Sequence, residues 1–288
     1  MATSPAHKFG QIIGEAIQRG VAPLLNEFAE KEGLYLDQAG PRPCRKGKKC
    51  SWRDLYGNEH DLDFVLERGG TPEKRGAPVA FIEVAWRRYT KHSRNKAQEI
   101  QGALLPLVET HRSAGPFLGV ILAGVFTEGA IKQLESLGFT VRHFSYDDVV
   151  NVFREFHVDA LFDEKTRDAE FRRKIRAYGG LSVQRKAVLA RKLVAARSED
   201  VQRFMAALSA TVLRRVDRVE ILPLYGLPRR VQTVAAAVRL LEEYHEAADG
   251  GLERYEIRVY YNNGDLIEGK FKDKASAIAF LRAHNPVS

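Results

Sequence analysis

The sequence predicts an α/β fold class: a mixed sheet flanked by helices, followed by a helical region and a small β-hairpin–helix module. Two apolar runs of strand length, PVAFIEVAW and FLGVILAGVF, alternate with segments whose apolar residues recur every three to four positions. Farther along, YEIRVYYNNGDLIEGKF alternates about Asn263-Gly264, which is a strong hairpin signal, and DKASAIAFLRAH continues with helical spacing. The alternation of strands and helices indicates at least one parallel strand pair.

Each element is predicted from its own periodicity. An amphipathic helix is expected over about residues 8–32, and Pro23 is expected to kink or divide it. The loop GPRPCRKGKKC that follows is expected to be exposed or to contact phosphate. The later elements are strands at DLYGNEHDLDFVLE, PVAFIEVAW, FLGVILAGVF and FTVRHFSY, helices from Ser93 to about His111 and at TEGAIKQLESLG, and helix from about Asp147 to Asp249 except at ILPLYGLPRR.

These elements divide the chain into three predicted regions. An α/β core is expected over residues 1–165, a basic helical region over 166–250, and the hairpin–helix module over 251–288. No internal repeat stands out in the sequence.

The charge of the chain suggests an acidic partner. Its 288 residues carry a formal charge of +8, and the stretch from Thr166 to Arg230 has 16 Lys or Arg against 6 Asp or Glu. That local surplus exceeds the surplus of the whole chain, so we expect nucleic acid to bind there, with a solvated helical face as the alternative. No apolar run approaches the roughly 18 residues of a membrane span, so no membrane partner is expected. The first residues lack the apolar core of a secretory signal, and we expect a cytoplasmic protein.

Cys44 and Cys50 are the only cysteines. Two thiols alone do not make a zinc site, because four ligands are normally needed and no nearby pair supplies the others. A disulfide is formally possible, but two free thiols are the preferred interpretation in a reducing cell.

Two carboxylates stand out in neighbouring predicted strands. Strict alternation places Asp61 and Asp63 on one side of the first strand, and Glu83 lies inside the apolar run of the second. A carboxylate in such a run costs several kcal/mol unless it is paired or binds a metal. If the strands pair as an antiparallel hairpin, Asp63 and Glu83 can share a face. Mg²⁺ prefers oxygen ligands, often one or two carboxylates, and it assists phosphodiester hydrolysis.

Alternative interpretations of these residues stay open. Asp61 and Asp63 could be solvent-facing strand residues, and Trp86 and Tyr89 are interpreted as packing residues in preference to base-stacking ones. His60 and His92 border the region without further ligands at metal spacing. The sequence has no phosphate-binding loop and no nucleophile elbow, so no nucleotide cofactor is expected.

The succession D-L-D-F-V-L and F-I-E-V-A resembles the strand pair of the PD-(D/E)XK nucleases, over roughly residues 8–160. That family places an acidic residue on one core strand and an E-x-K triplet on the next, followed by a helix and a strand–helix–strand. The resemblance is nearest to type II restriction endonucleases and implies a restriction-endonuclease-like core that cleaves double-stranded DNA. It implies catalytic, metal-binding roles for Asp63 and Glu83, Mg²⁺ as cofactor with Mn²⁺ as a substitute, and a further metal ligand at Glu15. A homodimer is expected, because protein symmetry then matches a palindromic site.

The sequence departs from the family at Glu83-Val84-Ala85, where alanine replaces the expected lysine. This implies either an inactive site or a cation supplied from elsewhere. Lys91 and Lys96 are both close in sequence, and Lys96 is favoured as the catalytic cation because the first turn of the following helix can lean over the strand end. Glu99 could orient Lys96 or add a metal contact, and Asp61 is a further accessory candidate.

Basic residues are the candidates for DNA contacts, since phosphate oxygens are the commonest targets of Lys and Arg. The candidates are Arg45, Lys46, Lys48, Lys49, Arg94, Arg172, Arg173, Lys174, Arg185 and Arg191. Two other functions stay open: a non-catalytic DNA-binding protein of the same fold, and a structure-specific, repair or modification-dependent nuclease. RNA as substrate is a more distant option.

Overall fold

The computed structural model describes residues 4–90, 93–223, 228–245 and 254–284. Lys91 and His92, which the sequence placed near the candidate site, lie outside the described residues. The described residues form two compact units. The first unit comprises the described parts of Met1–Thr110 and Phe117–Leu208, and the second comprises those of His111–Pro116 and Ser209–Ser288.

The first unit is an α/β fold with a mixed five-stranded sheet flanked by helices, as the sequence predicts. Its sheet has the order β1-β4-β5-β6-β7, antiparallel from β1 to β5 and parallel from β5 to β7. Its elements are α1 (Pro5–Lys31), β1 (Leu34–Gln38), β2 (Cys50–Arg53), β3 (Glu59–Leu62), β4 (Phe64–Arg68), β5 (Ala77–Arg87), α2 (Ser93–Thr110), β6 (Phe117–Gly124), α3 (Glu128–Ser136), β7 (Thr140–Ser145), α4 (Tyr146–Glu155), α5 (Asp168–Gly179), α6 (Val183–Ala195) and α7 (Ser198–Val212), whose last residues fall in the second unit.

Helix α2 covers one side of the sheet through a continuous apolar stripe. Ala97, Ile100, Leu104 and Leu107 are each at most 1% exposed and pack against the inward residues of β5 and β6. This is the stripe that the three-and-four spacing predicts.

Of the two effects expected of Pro23, division of the helix does not occur, because Pro23 lies inside the continuous helix α1. The hydroxyl of Ser4 caps the helix by accepting a hydrogen bond from the His7 amide. Helix α1 also packs closely on α6 at Gly20. A Cβ atom at Gly20 would lie 2.3 Å from the carbonyl oxygen of Ala190, so only glycine permits this approach.

Two predictions about strands need correction. The expected single strand over 54–67 is two strands, β3 and β4, separated by a bend at Asp63. Strand β3 pairs with β2, whereas β4 pairs with β1 and β5, so the bend passes the chain from one sheet to another. Neither β1 nor β2 was expected from the sequence.

The predicted division at residues 165 and 250 is also wrong. Helices α5 and α6 belong to the first unit, because both pack against α1. Residues 216–220, which were expected to be helical, form the start of strand β8 instead, whereas helix is confirmed in α8. In the second unit the elements are β8 (Val216–Pro223), β9 (Arg229–Val231), α8 (Val234–Glu243), β10 (Tyr255–Tyr261), β11 (Leu266–Phe271) and α9 (Lys274–Ala283).

The second unit contains a structural repeat that was not apparent from the sequence. Its antiparallel sheet has the order β11-β10-β8-β9, so two hairpins meet along β8 and β10, and each hairpin leads into a helix. The register across β8 and β10 is symmetric about the pair Ile221 and Ile257. Thr233 and Asp273 cap the two helices with the same backbone angles, φ −135° and ψ 152°. The predicted hairpin at Asn263-Gly264 and the helix after it are confirmed as β10, β11 and α9.

Among the described residues, no helix combines the length and apolarity that crossing a membrane requires.

Candidate active site

The bend between β3 and β4 brings Asp63 beside Glu83 of β5. Strands β4 and β5 are antiparallel, with Phe64 opposite Ile82, so the residue before Phe64 faces the residue after Ile82. Glu83 is 8% exposed and Asp63 is half-buried. The antiparallel pairing on which the predicted site depends is therefore confirmed.

Backbone amides hold the two carboxylates in place. The Asp63 amide donates to Glu83 Oε1 at 3.2 Å, and the Val84 amide donates to Asp63 Oδ2 at 2.7 Å. On the other side, Gln18 Nε2 of α1 donates to Asp63 Oδ1 at 2.6 Å. Each carboxylate oxygen has a second lone pair, so these hydrogen bonds leave acceptor capacity for a further ligand.

Burial makes it costly for both groups to be ionised. Burial raises the pKa of Asp63 to about 6, although the Val84 amide and Lys96 act in the opposite direction. Burial also raises the pKa of Glu83 to about 8, and the charge of Asp63 raises it further while Lys96 lowers it. Without a cation the pair therefore holds a proton near neutral pH.

Lys96 is the basic group that acts on both carboxylates, since its charge lowers both pKa values. It lies in the first turn of α2, with its side chain 21% exposed. The Glu99 carboxylate forms ion pairs with Lys96 Nζ at 3.3 Å and with Arg87 at 3.4 Å. The placement of Lys96 agrees with the expected relocated cation, and Glu99 lies where it can orient the ammonium group.

Ala85, at the family's lysine position, is packed in the core. It is 2% exposed and belongs to the same apolar cluster as Phe81 and Ala97. A lysine there would have to place its ammonium group in this cluster, whereas Lys96 of α2 lies close enough for its charge to lower the pKa of both carboxyl groups.

The other predicted site residues do not join the pair. Asp61 is on β3 and is bound by Lys49 Nζ and by the Ser51 hydroxyl, each at 2.5 Å. Glu15 is exposed on α1, where its charge adds to the effect of burial, which is the main cause of the raised pKa of Tyr178. In the described part of the chain, no cluster of three or more acidic, His or Cys side chains has the geometry to hold a metal ion.

The residues present nevertheless fit a magnesium ion. Mg²⁺ is commonly held by one or two carboxylates, with waters and substrate phosphate as its remaining ligands. Asp63 and Glu83 supply two such carboxylates, and because burial raises the pKa of both, a cation at this point would stabilise their ionised forms.

Two of the predicted DNA contacts are corrected by the structure. The guanidinium of Arg45 is buried and bonded to Asp37 and to the carbonyl oxygens of Gln38 and Gly40. Lys174 is 6% exposed and is bound by Asp159 and the Leu161 carbonyl. Neither is free to bind phosphate. The remaining candidates have exposed side chains, namely Lys46, Lys48, Lys49, Arg94, Arg172, Arg173, Arg185 and Arg191.

A buried ionic network under the basic loop was missed by sequence reasoning. Arg42 Nη1 lies 2.5 Å from Glu67 Oε1 and 3.0 Å from Asp37 Oδ2, and all three side chains are at most 2% exposed. The Gly76 amide also donates to Glu67 at 2.6 Å. This network fixes the loop whose exposed lysines were expected to contact DNA. The loop cysteines Cys44 and Cys50 carry free thiols, and burial raises the pKa of Cys50.

A pocket of about 480 Å³ lies between α1 and the end of β5. Gln18, which binds Asp63, is one of its lining residues. The remainder of the lining combines small, aromatic and charged groups, namely Ala6, His7, Gly10, Gln11, Gly14, Glu15, Trp86, Arg87, Arg88, Tyr89 and Phe162.

Comparisons with known proteins do not identify a family. No family model matches the sequence, and no curated protein is significantly similar to it. A solved structure of a protein of unknown function, AF1548, aligns with 64% of this chain and 99% of its own, at 12% sequence identity and a TM-score of 0.27. That similarity is too low to support an argument about function.

Proposed function

We propose that this protein is a metal-dependent nuclease that hydrolyses phosphodiester bonds in double-stranded DNA. The observation that carries the proposal is the part-buried contact between Asp63 and Glu83, where burial raises the pKa of both carboxyl groups. Such a pair is costly unless a cation binds it. The order β4, β5, α2, β6, α3, β7 also agrees with the order that the resemblance to PD-(D/E)XK nucleases implies.

The residues around the pair have distinct proposed roles. A bound Mg²⁺ or Mn²⁺ would polarise the phosphate and lower the pKa of a water molecule. Asp63 and Glu83 would hold the ion, and the amide of Gln18 would keep the Asp63 side chain in its rotamer. The Lys96 ammonium would stabilise negative charge that develops on the phosphate or orient the attacking water. Glu99 would position Lys96.

Double-stranded DNA is the proposed partner because exposed basic residues are numerous in the same unit. Arg172, Arg173, Arg185 and Arg191 are exposed on α5 and α6. Contacts of this kind give affinity without sequence preference, and they weaken steeply with salt. A homodimer and a restriction-type, cytoplasmic role belong to the same proposal. Light scattering of the protein with and without DNA tests the dimer.

A DNA-binding protein without cleavage is the second candidate, and Ala85 favours it. The core packing of Ala85 leaves catalysis dependent on a lysine from another element. Tight binding of DNA that is indifferent to metal, without cutting, would support this candidate over the nuclease.

The deciding experiment is cleavage of unmodified plasmid and genomic DNA with Mg²⁺, with and without EDTA. Asp63→Ala and Glu83→Ala are compared with Glu59→Gln, an exposed strand carboxylate paired only with Arg53 among the ion pairs of the described residues. We expect cleavage by the wild type and Glu59→Gln that is lost in the two other variants and in EDTA. Cleavage that survives in both carboxylate variants would refute the assignment, and discrete fragments would indicate sequence specificity.

A further inference from the structure

The geometry points to the pocket beside the carboxylates as a binding site for one unpaired nucleobase of the DNA strand. This inference rests on the proposed function and names its substrate class: DNA that contains an unpaired or readily extruded nucleotide. In the sequence alone, Trp86 and Tyr89 were interpreted as packing residues. In the structure both side chains also line the pocket, where they can contact a ligand.

The location of the pocket is the first argument. Gln18 is shared by the two sites, since it lines the pocket and donates to Asp63 Oδ1 at 2.6 Å. A nucleotide whose phosphate lies at Asp63 is therefore one glutamine side chain away from the pocket. The volume of about 480 Å³ is within the range of about 300–1,000 Å³ that small-molecule pockets show.

The walls of the pocket suit a flat, aromatic ligand. Trp86 and Phe162 are 8% and 7% exposed, and Tyr89 completes an aromatic lining. Extruded bases are commonly held between aromatic and apolar side chains, with polar groups reading the base edge. Gln11 and Gln18 both line the pocket from α1. Each side-chain amide has an NH₂ group that donates and an oxygen that accepts hydrogen bonds.

Two glycines keep the helical side of the pocket open. Gly10 and Gly14 are one turn apart on α1, and both line the pocket. A Cβ atom at Gly14 would meet nothing closer than Trp86 Cβ at 4.0 Å, so the backbone packing does not demand glycine there. Glycine weakens a helix, so we explain Gly14 by the space that the missing side chain leaves in the pocket.

The aromatic wall is fixed in place by Arg88. Its guanidinium donates to the Phe162 carbonyl at 2.8 Å and lies 4.0 Å from the centre of the Tyr146 ring. Tyr146 in turn packs against both Trp86 and Phe162. The pocket is thus preformed, which lowers the entropic cost of binding a base. Arg87, which also lines the pocket, carries the positive charge that the flanking phosphates require.

Binding of three short labelled duplexes tests the inference, with Ca²⁺ in place of Mg²⁺ to prevent cleavage. The duplexes are fully paired, contain one unpaired nucleotide, or contain an abasic residue at that position. We expect the unpaired nucleotide to bind about 10-fold more tightly than the other two, as loss of one stacked base would predict. Tryptophan fluorescence should be quenched by that duplex, and the quenching should be much reduced in Trp86→Phe.

Filling the pocket provides the matched variant. Gly14→Leu should abolish the preference for the unpaired nucleotide without changing affinity for paired DNA. Gly102→Leu is the control, because Gly102 is an exposed helix position of α2 where an added Cβ meets nothing within 4 Å. Circular dichroism melts establish that both variants fold.

The outcomes separate the pocket from the nuclease. Equal binding of the unpaired and abasic duplexes, a preference that survives Gly14→Leu, or a stronger preference for an unpaired RNA nucleotide would overturn the inference. Metal-dependent cleavage of paired plasmid would then still stand as the proposed function. Conversely, a base preference that Gly14→Leu removes, in a protein that cuts no DNA, would retain the pocket and reject the nuclease.

Discussion

The backbone amide of Asp63 donates a hydrogen bond to the carboxylate of Glu83, so the chain itself holds two acidic side chains together. The bend after β3 and the register of β4 on β5 set this contact, and no attraction between the carboxylates contributes to it. Holding the two carboxylates together therefore lowers the stability of the fold unless a proton or a cation lies between them.

Binding of Mg²⁺ is expected to release a proton at pH 7. The pKa of Glu83 is about 8, so its carboxyl is mostly protonated at that pH and must ionise to bind a metal. Isothermal titration calorimetry in two buffers of different ionisation enthalpy should give release of about one proton per ion. Glu83→Gln should remove this release, and Glu59→Gln should leave it unchanged. Heats that do not depend on the buffer would contradict the raised pKa.

Without metal, the protein is expected to lose stability as the pH rises from about 4.5 to 8. The folded pKa of Glu83 is above its ordinary value of 4.5, so the folded state binds more protons over this range and the stabilising contribution disappears as the carboxyl ionises. Asp63 acts in the same direction between 3.8 and about 6. Thermal melts in EDTA should show a falling Tm over this window.

The Glu83→Gln variant isolates that effect. Glutamine keeps the size of the side chain and cannot ionise, so its Tm should exceed that of the wild type at pH 8.5 and approach it at pH 4.5. The added stability should vanish when the wild type is saturated with Mg²⁺, because binding to the folded state stabilises it. Parallel pH profiles for the two proteins would argue against a buried, ionisable Glu83.

Replacement of Lys96 by Met is expected to reduce DNA cleavage by about 10²–10³-fold, the usual cost of losing one group that stabilises transition-state charge. The pKa values of Asp63 and Glu83 should both rise, because Lys96 lowers them. Lys96→Arg should restore part of the activity. Lys132→Met, which removes an exposed lysine paired with Glu128 on α3, is the control. Full activity in Lys96→Met would place the catalytic cation elsewhere.

The parts of the fold that depend on local periodicity were predictable from the sequence. Strand β5, helix α2 and the hairpin at Asn263-Gly264 each carry their own pattern of apolar residues or turn residues. The contact between Asp63 and Glu83 was predictable too, because antiparallel pairing of adjacent strands fixes which residues face each other.

Contacts between distant segments were not predictable. Gln18 reaches Asp63 across 45 residues, and Arg42 reaches Glu67 across 25. Nothing local distinguishes Arg45 or Lys174, which are buried and paired, from basic residues that stay exposed. In β8, Val219 and Ile221 face inward, but charged neighbours and Pro223 obscured the alternation and with it the repeat.

The buried network under the basic loop gives the last prediction. Arg42→Met removes the guanidinium that lies between Glu67 and Asp37, leaving Glu67 buried without its counter-ion. Breaking a buried pair in this way typically costs about 3–5 kcal/mol, which corresponds to a Tm decrease of about 10 °C in a domain of this size. Arg53→Met, which breaks an exposed pair with Glu59, should cost less than about 1 kcal/mol.

Equal effects of the two substitutions in urea unfolding would mean that the network does not stabilise the fold. If Arg42→Met instead unfolds the loop alone, native-state hydrogen exchange should show faster exchange there, and affinity for DNA should decrease because the exposed Lys46 and Lys48 lose their fixed positions.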